Sequence, residues 1–337
     1  MSSKLHINIL LLILLYLSPS VSLSKDQSII VLMYHRFDQD KYPDTSISSK
    51  TFEEQIKFLL NSGVSILPLT DLIKFLNNEK EILNNTVFLT VDDAFRSFYS
   101  NAFPILKKFD LPFSVFVSTK YVSNQINSDY MSWEMLKDLS DNNGLILNHT
   151  RRHDSLLNMS SPKIINEIES NYSIIEKNIG KQPKIFSYPY GESSVEVEKI
   201  IKSLGYKIAF SQHSSPISKE ENRHRLPRFS LNEELGRIER FEKILNVKSM
   251  PNYKSSLPDT TVSSEEIKYS FTTDLPLNYI NCFINNKAEL NIKNPVNSKV
   301  TLIISKLKIG NRYRINCTYT DKNGQIYWNG KMLKRID

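Results

Sequence analysis

From residue 28 to about residue 210 the chain alternates short apolar runs with amphipathic stretches, and no other feature limits its fold as much. SIIVLMYHRF, TVFLTVDD, LPFSVFVST, LILNHT, KIFSYPYG and YKIAFS read as strands. Most are apolar on both faces, as in a parallel sheet covered by helices on either side. Between them, TFEEQIKFLLNSG reads as a helix with Thr51 and Glu54 set as a capping box and Gly63 at its stop, and TDLIKFLNN as one capped by Thr70. A helical segment follows from near Ser97 to Phe109, and SWEMLKDLSDNNG begins another at Ser132. The clearest helix has Ser161 as cap, Pro162 in its first turn, apolar residues at Ile164, Ile165, Ile168, Tyr172 and Ile175, and Gly180 at its end. A last one spans Val195 to Leu204. The pattern predicts an α/β fold, an incomplete or distorted β/α barrel ahead of a doubly wound sheet. Polar residues at the carboxyl ends of the strands then converge on one rim.

Beyond residue 250 the texture changes. Residues 251–262, containing PNYKSSLPDTT, read as a linker between a domain over 25–250 and a small all-β sandwich over 263–337. Short, partly alternating runs separated by Asn, Gly and Pro support the sandwich, and DKNGQ is a good hairpin turn. The only cysteines, Cys282 and Cys317, both lie here. In an oxidising compartment they could form one bridge; two buried thiols is the other reading.

An apolar stretch from Ile7 to Leu17 followed by SPSVSLS has the layout of a secretory signal peptide over residues 1–24, with an uncleaved anchor as the less favoured reading. Export places the chain in the periplasm or outside a bacterial cell. Against 43 Lys and Arg stand 36 Asp and Glu, a formal charge of +7, or +6 once Lys4 leaves with the leader. That excess suits peripheral contact with anionic envelope surfaces or simple solvation. No basic block interleaved with aromatics is present, which excludes nucleic acid as a partner. Asn148, Asn158, Asn171 and Asn316 sit in glycosylation-like triplets. A glycan on Asn148 would crowd His149, so that asparagine is expected bare.

Several strand ends carry unusual residues: His35 after the first, Asp92 and Asp93 after another, His149 and His153 after a third, and SYPYG at a fourth. Adjacent aspartates repel unless a positive charge lies beside them. Two imidazoles and a carboxylate are a common three-point shell for a hydrolytic zinc, leaving a position open for water. Asp93, His149 and His153 are the expected ligands, and Asp92 is placed to accept a proton from that water. Histidines four apart are alone often a surface pair, and an Asp-Asp pair alone is often a solvated turn. Their joint occurrence at strand ends favours chemistry.

LTVDDAF, NHTRRH and FSYPYG, in this order and spacing, resemble the motifs of the NodB-like polysaccharide deacetylases, carbohydrate esterase family 4. VLMYHRF, MSWEML and LPRF resemble the poly-N-acetylglucosamine deacetylase branch, and the likeness covers about residues 28–230. The resemblance implies a distorted β/α barrel and metal-dependent removal of acetyl groups from an N-acetylated glycan. Asp92 would be general base, Asp93, His149 and His153 ligands of a divalent metal, usually Zn2+, and His35 general acid. The backbone N–H of Tyr190 would face the oxyanion.

Two departures stand out. Ala94 occupies a position that is usually glycine, and Ser187 one that is often an arginine orienting the base, a role open to Arg228. Trp133 and Tyr190 are candidates for substrate contact, with core packing the competing reading for Trp133. Tyr34 and Phe37 read as packing, and Tyr327 and Trp328 as core or glycan surface. His213 and His224 read as solvated loop residues. An O-acetyl esterase or other carbon–nitrogen hydrolase on the same fold, and an inactive glycan-binding protein, are the alternatives.

Overall fold

The structure, a computed structural model, describes residues 29–337 except 83–84, 123–128, 258 and 297–298; the expected leader lies outside them. No helix among the described residues is long and apolar enough to cross a membrane.

The first domain contains strands β1 (Ile30–Tyr34), β2 (Arg36–Phe37), β3 (Ser46–Ile47), β4 (Ser65–Ile66), β5 (Thr86–Asp92), β6 (Phe113–Val117), β7 (Gly144–Asn148), β8 (Ile185–Ser187), β9 (Ile208–Phe210) and β10 (Phe229–Ser230). Its helices are α1 (Ser49–Asn61), α2 (Leu69–Leu76), α3 (Phe103–Lys108), α4 (Thr119–Val122), α5 (Trp133–Asp141), α6 (Ser161–Ile179), α7 (Val195–Ser203) and α8 (Ile238–Leu245). Apart from the β2–β3 pair, these strands form a parallel sheet in the order β10-β1-β5-β6-β7-β8-β9, with β4 also paired to β5. The sheet is a curled half-barrel. Across its open side, Leu226 exchanges backbone bonds with Ala209 and Ser211 of the β9 edge before the chain enters β10 beside β1.

Alternate residues of one strand serve different cores. Ile30, Leu32, Tyr34, Val87, Leu89 and Val91 join one buried cluster, whereas Val31, Phe88, Phe116, Leu147 and Phe210 join a second. This two-sided burial produces the uninterrupted apolar runs of the sequence.

Helix starts differ from expectation by small steps. Ser48, not Thr51, caps α1, its hydroxyl accepting from Thr51 N, because the helix begins earlier than its apolar pattern. Thr70 lies inside α2, which follows Pro68 with no side-chain cap, and Ser160 stands at the N-cap of α6 in place of Ser161. Ser132 caps α5 and Gly180 ends α6 as expected, the latter at φ 98°.

The C-terminal region adds β11 (Lys248–Ser249), β12 (Lys254–Ser255), β13 (Thr261–Val262), β14 (Ile267–Thr272), β15 (Asn281–Ile284), β16 (Glu289–Val296), β17 (Lys299–Ser305), β18 (Arg312–Thr320) and β19 (Ile326–Arg335). They form two sheets, β11-β19-β18-β15 with β13 on β19, and β12-β14-β17-β16, around their own core. Residues 251–262 are therefore not a free connection, since β12 pairs with β14 and β13 with β19. Pro and Ser suggested a linker, but short edge strands tolerate both. Cys282 and Cys317 face each other across β15 and β18 and are disulfide-bonded.

The C-terminal β region is in intimate contact with the half-barrel. A Cβ on Gly330 would fall 2.1 Å from Ser214 O, so β19 approaches the loop after β9 as only glycine allows. Trp328 packs edge-on against Phe229 at 5.5 Å and donates to Asn316 Oδ1, which makes it a joint between the C-terminal sheet and the half-barrel and not an open glycan surface. His213, expected on the surface, is buried because this same loop lies beneath β19.

Candidate metal centre and active site

The rim at the carboxyl ends of β1, β5, β7 and β8 collects the residues singled out above. Asp93 follows β5, and His149 and His153 follow β7 on a loop held from several sides. His149 N donates to Val117 O (3.1 Å), Ser118 Oγ to His149 O (2.8 Å), and Arg152 pairs with Glu167 of α6 (2.6 Å). Asn148 is buried, bonded to Ile168 O, Tyr206 and Asn171, and it accepts from Thr150 N (3.0 Å). Its side chain therefore serves the fold and is inaccessible to a glycan.

One ligand-capable atom from each of Asp93, His149 and His153 lies within 4.8 Å of the others. His153 Nε2 is 3.1 Å and His149 Nε2 3.4 Å from Asp93 Oδ1. Yet Asp93 Oδ1 and His149 Nε2 are buried without a hydrogen-bond partner. His149 Nδ1 lies 2.7 Å from Ser187 O, to which it donates as N–H, leaving the Nε2 lone pair toward the carboxylate. Acceptor atoms that crowd together without bonding one another fit a cation among them.

Electrostatics agree. Burial alone would raise the Asp93 pKa, but the two imidazoles beside it hold it well below the usual carboxylate range. Burial also opposes the charged form of His149, while Asp92, Asp93 and the Ser187 carbonyl outweigh it and raise that pKa.

Asp92 ends β5 and is wholly buried opposite Arg228, which immediately precedes β10. The guanidinium grips it at both ends, Nη1 to Oδ1 and Nη2 to Oδ2, each at 2.7 Å. Nη2 also donates to Ser187 Oγ (2.8 Å) and Nε to Ser211 O (3.2 Å). Burial would raise the Asp92 pKa, yet Arg228 and His149 bring it below its ordinary value. Arg228 thus stands beside the aspartate as the LPRF motif suggested, with Ser187 bonded to it rather than replacing it.

His35 follows β1, largely buried, where Asp92, Asp93, Arg228 and His149 all act on its ring. Burial lowers its pKa below the usual 6.5, and the two carboxylates only partly oppose that. Tyr190 sits in a left-handed turn at φ 60° with its ring edge-on to His153 at 4.6 Å. Asp93, Ala94, Thr150 and His153 also have positive φ, so strained backbone gathers here. Ala94 at φ 59° occupies a conformation costing a non-glycine residue about 1–2 kcal/mol. Ala94→Gly is accordingly expected to raise, or at least preserve, the unfolding free energy in urea; a fall of more than about 1 kcal/mol would contradict the strain.

Trp133 does not join this group: it packs on the main core from the start of α5. The aromatics lining the cavity with Asp93, Ser118 and His153 are Tyr121 and Tyr130, stacked at 4.7 Å. Tyr121 lies just beyond the carboxyl end of β6, so the strand-end rule could have found it. Tyr130 is brought in by backbone pairing with Phe95, which no sequence pattern announced.

A curled parallel sheet of this kind is the fold of the polysaccharide deacetylases, which are metal-dependent. The model of the Polysaccharide deacetylase family matches residues 80–209 of the chain. Among curated proteins it is 27% identical over 243 residues to a poly-beta-1,6-N-acetyl-D-glucosamine N-deacetylase of Staphylococcus aureus, spanning 64% of this chain and 83% of that one. A putative polysaccharide deacetylase of Bacillus subtilis is 23% identical over 63% of this chain and 74% of its own. The fold is shared with the Streptococcus pyogenes deacetylase PplD (TM-score 0.61, 20% identity, 65% of this chain and 99% of that one). It is shared too with IcaB from Ammonifex degensii (TM-score 0.59, 22% identity, 65% and 97%).

Proposed function

We propose that the protein is a zinc-dependent hydrolase that removes N-acetyl groups from a polymer of N-acetylglucosamine in a bacterial envelope. The convergence of Asp93, His149 and His153 beside the buried Asp92–Arg228 pair carries this reading. The family match and the amide-cleaving relatives support it. Export is supported by the leader-like residues 1–24 and by a disulfide, which persists in oxidising compartments.

Asp93, His149 and His153 would hold the metal, which when bound supplies Lewis-acid polarisation and makes water more acidic. Asp92, kept ionised and oriented by Arg228, takes the proton of the attacking water. The Tyr190 N–H donates to the oxygen that gains charge as the acetyl carbon becomes tetrahedral, a contribution worth about 10²–10³ in rate at comparable sites. His35 gives a proton to the departing amine; its lowered pKa makes it a stronger acid at the cost of a smaller protonated fraction. Tyr121 and Tyr130 offer stacked rings against a sugar face.

The test is acetate release from β-1,6-linked N-acetylglucosamine oligomers with added zinc, beside acetylated xylan. Turnover of the first is expected. Turnover of xylan alone would reassign the enzyme to ester chemistry, and glycan binding without turnover of either would leave a binding protein.

Arg228→Met bears on the base. With the guanidinium gone, burial is left to raise the Asp92 pKa. The ionised base is lost at a higher pH, so the acid limb of kcat/KM is expected to move upward; an unmoved limb would remove Asp92 from that role.

A further inference from the structure

We propose that the C-terminal β domain is part of the catalytic apparatus, with Glu192 as the joint through which Arg312 and Lys334 hold the Tyr190 turn and the histidine loop in register. This deepens the function proposed above and rests on it for its kinetic arm.

Glu192 is 3% exposed, two residues past Tyr190. A carboxylate so placed is costly unless it is paired and hydrogen-bonded. Its partners come from two directions. Ser155 Oγ, two residues beyond His153, donates to one carboxylate oxygen. Lys334 Nζ of β19 lies 2.9 Å and Arg312 Nε of β18 3.7 Å from the other. One side chain thus ties the histidine loop to the Tyr190 turn and both to the second domain.

Arg312 makes further contacts with the same turn. Its Nη1 donates to Tyr190 O (3.2 Å), and its guanidinium carbon stands 5.1 Å from the centre of the Tyr190 ring, whose edge meets His153. The turn is gripped on its remaining sides as well. Ser211 Oγ donates to Gly191 O (2.6 Å), and Thr260 Oγ1, just before β13, donates to Ser193 O. A Cβ on Gly191 would fall 2.5 Å from Gln212 N, and Gln212 O accepts from Arg314 Nε of β18 (3.1 Å). A left-handed turn at Tyr190 persists only where its surroundings over-determine it, and here Arg312, Lys334 and Thr260 of the C-terminal region supply part of them.

Arg312 and Lys334 are positioning residues: they reach the reaction through the Tyr190 N–H and the histidine loop. Arg312→Met with Lys334→Met should lower kcat on N-acetylglucosamine oligomers by on the order of 10²-fold, as small misplacements do, with KM and bound zinc little changed. Glu192→Gln should act in the same direction, and Arg312→Lys should recover part of the loss.

Loss of folded protein would scale all reactions alike, so hydrolysis of 4-nitrophenyl acetate, an activated ester that leans less on oxyanion stabilisation than an amide does, is measured beside the amide. The amide is expected to suffer more; equal losses would overturn the proposal. Hydrogen exchange gives a readout without turnover. Peptides spanning residues 150–156 and 188–193 should exchange faster in the double variant, while Lys299→Met, on the far sheet, changes nothing. Unchanged protection in both segments overturns the inference whatever the activity. Loosened loops in a parent that releases no acetate would support the coupling and refute the proposed function.

Discussion

His149→Ala is expected to leave the protein without bound zinc after dialysis and to abolish measurable acetate release. The imidazole is one of three groups whose donor atoms meet at a point, and its Nε2 is aimed inward with no other partner. Loss of a supporting partner around such a site costs about 10–100-fold in affinity or activity, and a ligand itself should cost more. Zinc should also stabilise the parent by mass action, about 2.7 kcal/mol at a hundredfold excess over its Kd. The variant's melting temperature should ignore the metal. Equal zinc content in the two proteins, measured by emission spectroscopy, would defeat the metal centre.

Asp92→Asn is expected to keep its zinc and lose turnover by about 10²–10⁴-fold, the usual span for a general base. It should also be less stable, because Arg228, wholly buried, loses its counter-charge. Breaking a buried pair by removing one partner costs about 3–5 kcal/mol. The pH dependence has a definite sign. Asp92 has a depressed pKa in the folded protein, so its contribution is full above the unfolded aspartate value of about 3.9 and fades as the pH falls through the lower folded value. The gap between parent and variant in urea unfolding should therefore be wide at neutral pH and narrow in acid. A variant that turns over at the parental rate would remove Asp92 from the chemistry.

Much of this was legible from local pattern. Parallel strands buried on both faces leave long apolar runs, and helices leave a 3.6-residue period, so TVFLTVDD and the α6 segment declared themselves. The strand-end rule then put Asp93, His149 and His153 on one rim, where the structure brings them within ligand distance of one another. The N-caps of α1 and α6 were off by a residue or more because Ser48 and Ser160 precede the apolar pattern that marks each helix. Trp133 drew notice for its chemistry but packs on the core, while Tyr130 reaches the cavity through a bridge to Phe95.

What the amino-acid order determined on its own is whatever depends on neighbours in the chain: the alternation of elements, the strand-end residues, and the hairpin at Asp321–Gln325, where Gly324 adopts φ 82°. Only tertiary structure decided which distant groups share a carboxylate. Lys334 and Arg312 meet Glu192 from the C-terminal region, a pairing no motif announced, whereas Arg228, 136 positions from Asp92, was suggested as its partner only through the LPRF resemblance. The physical reason is that burying a charge demands a partner but not one at any fixed spacing, so the partner is chosen by how the sheets close on each other.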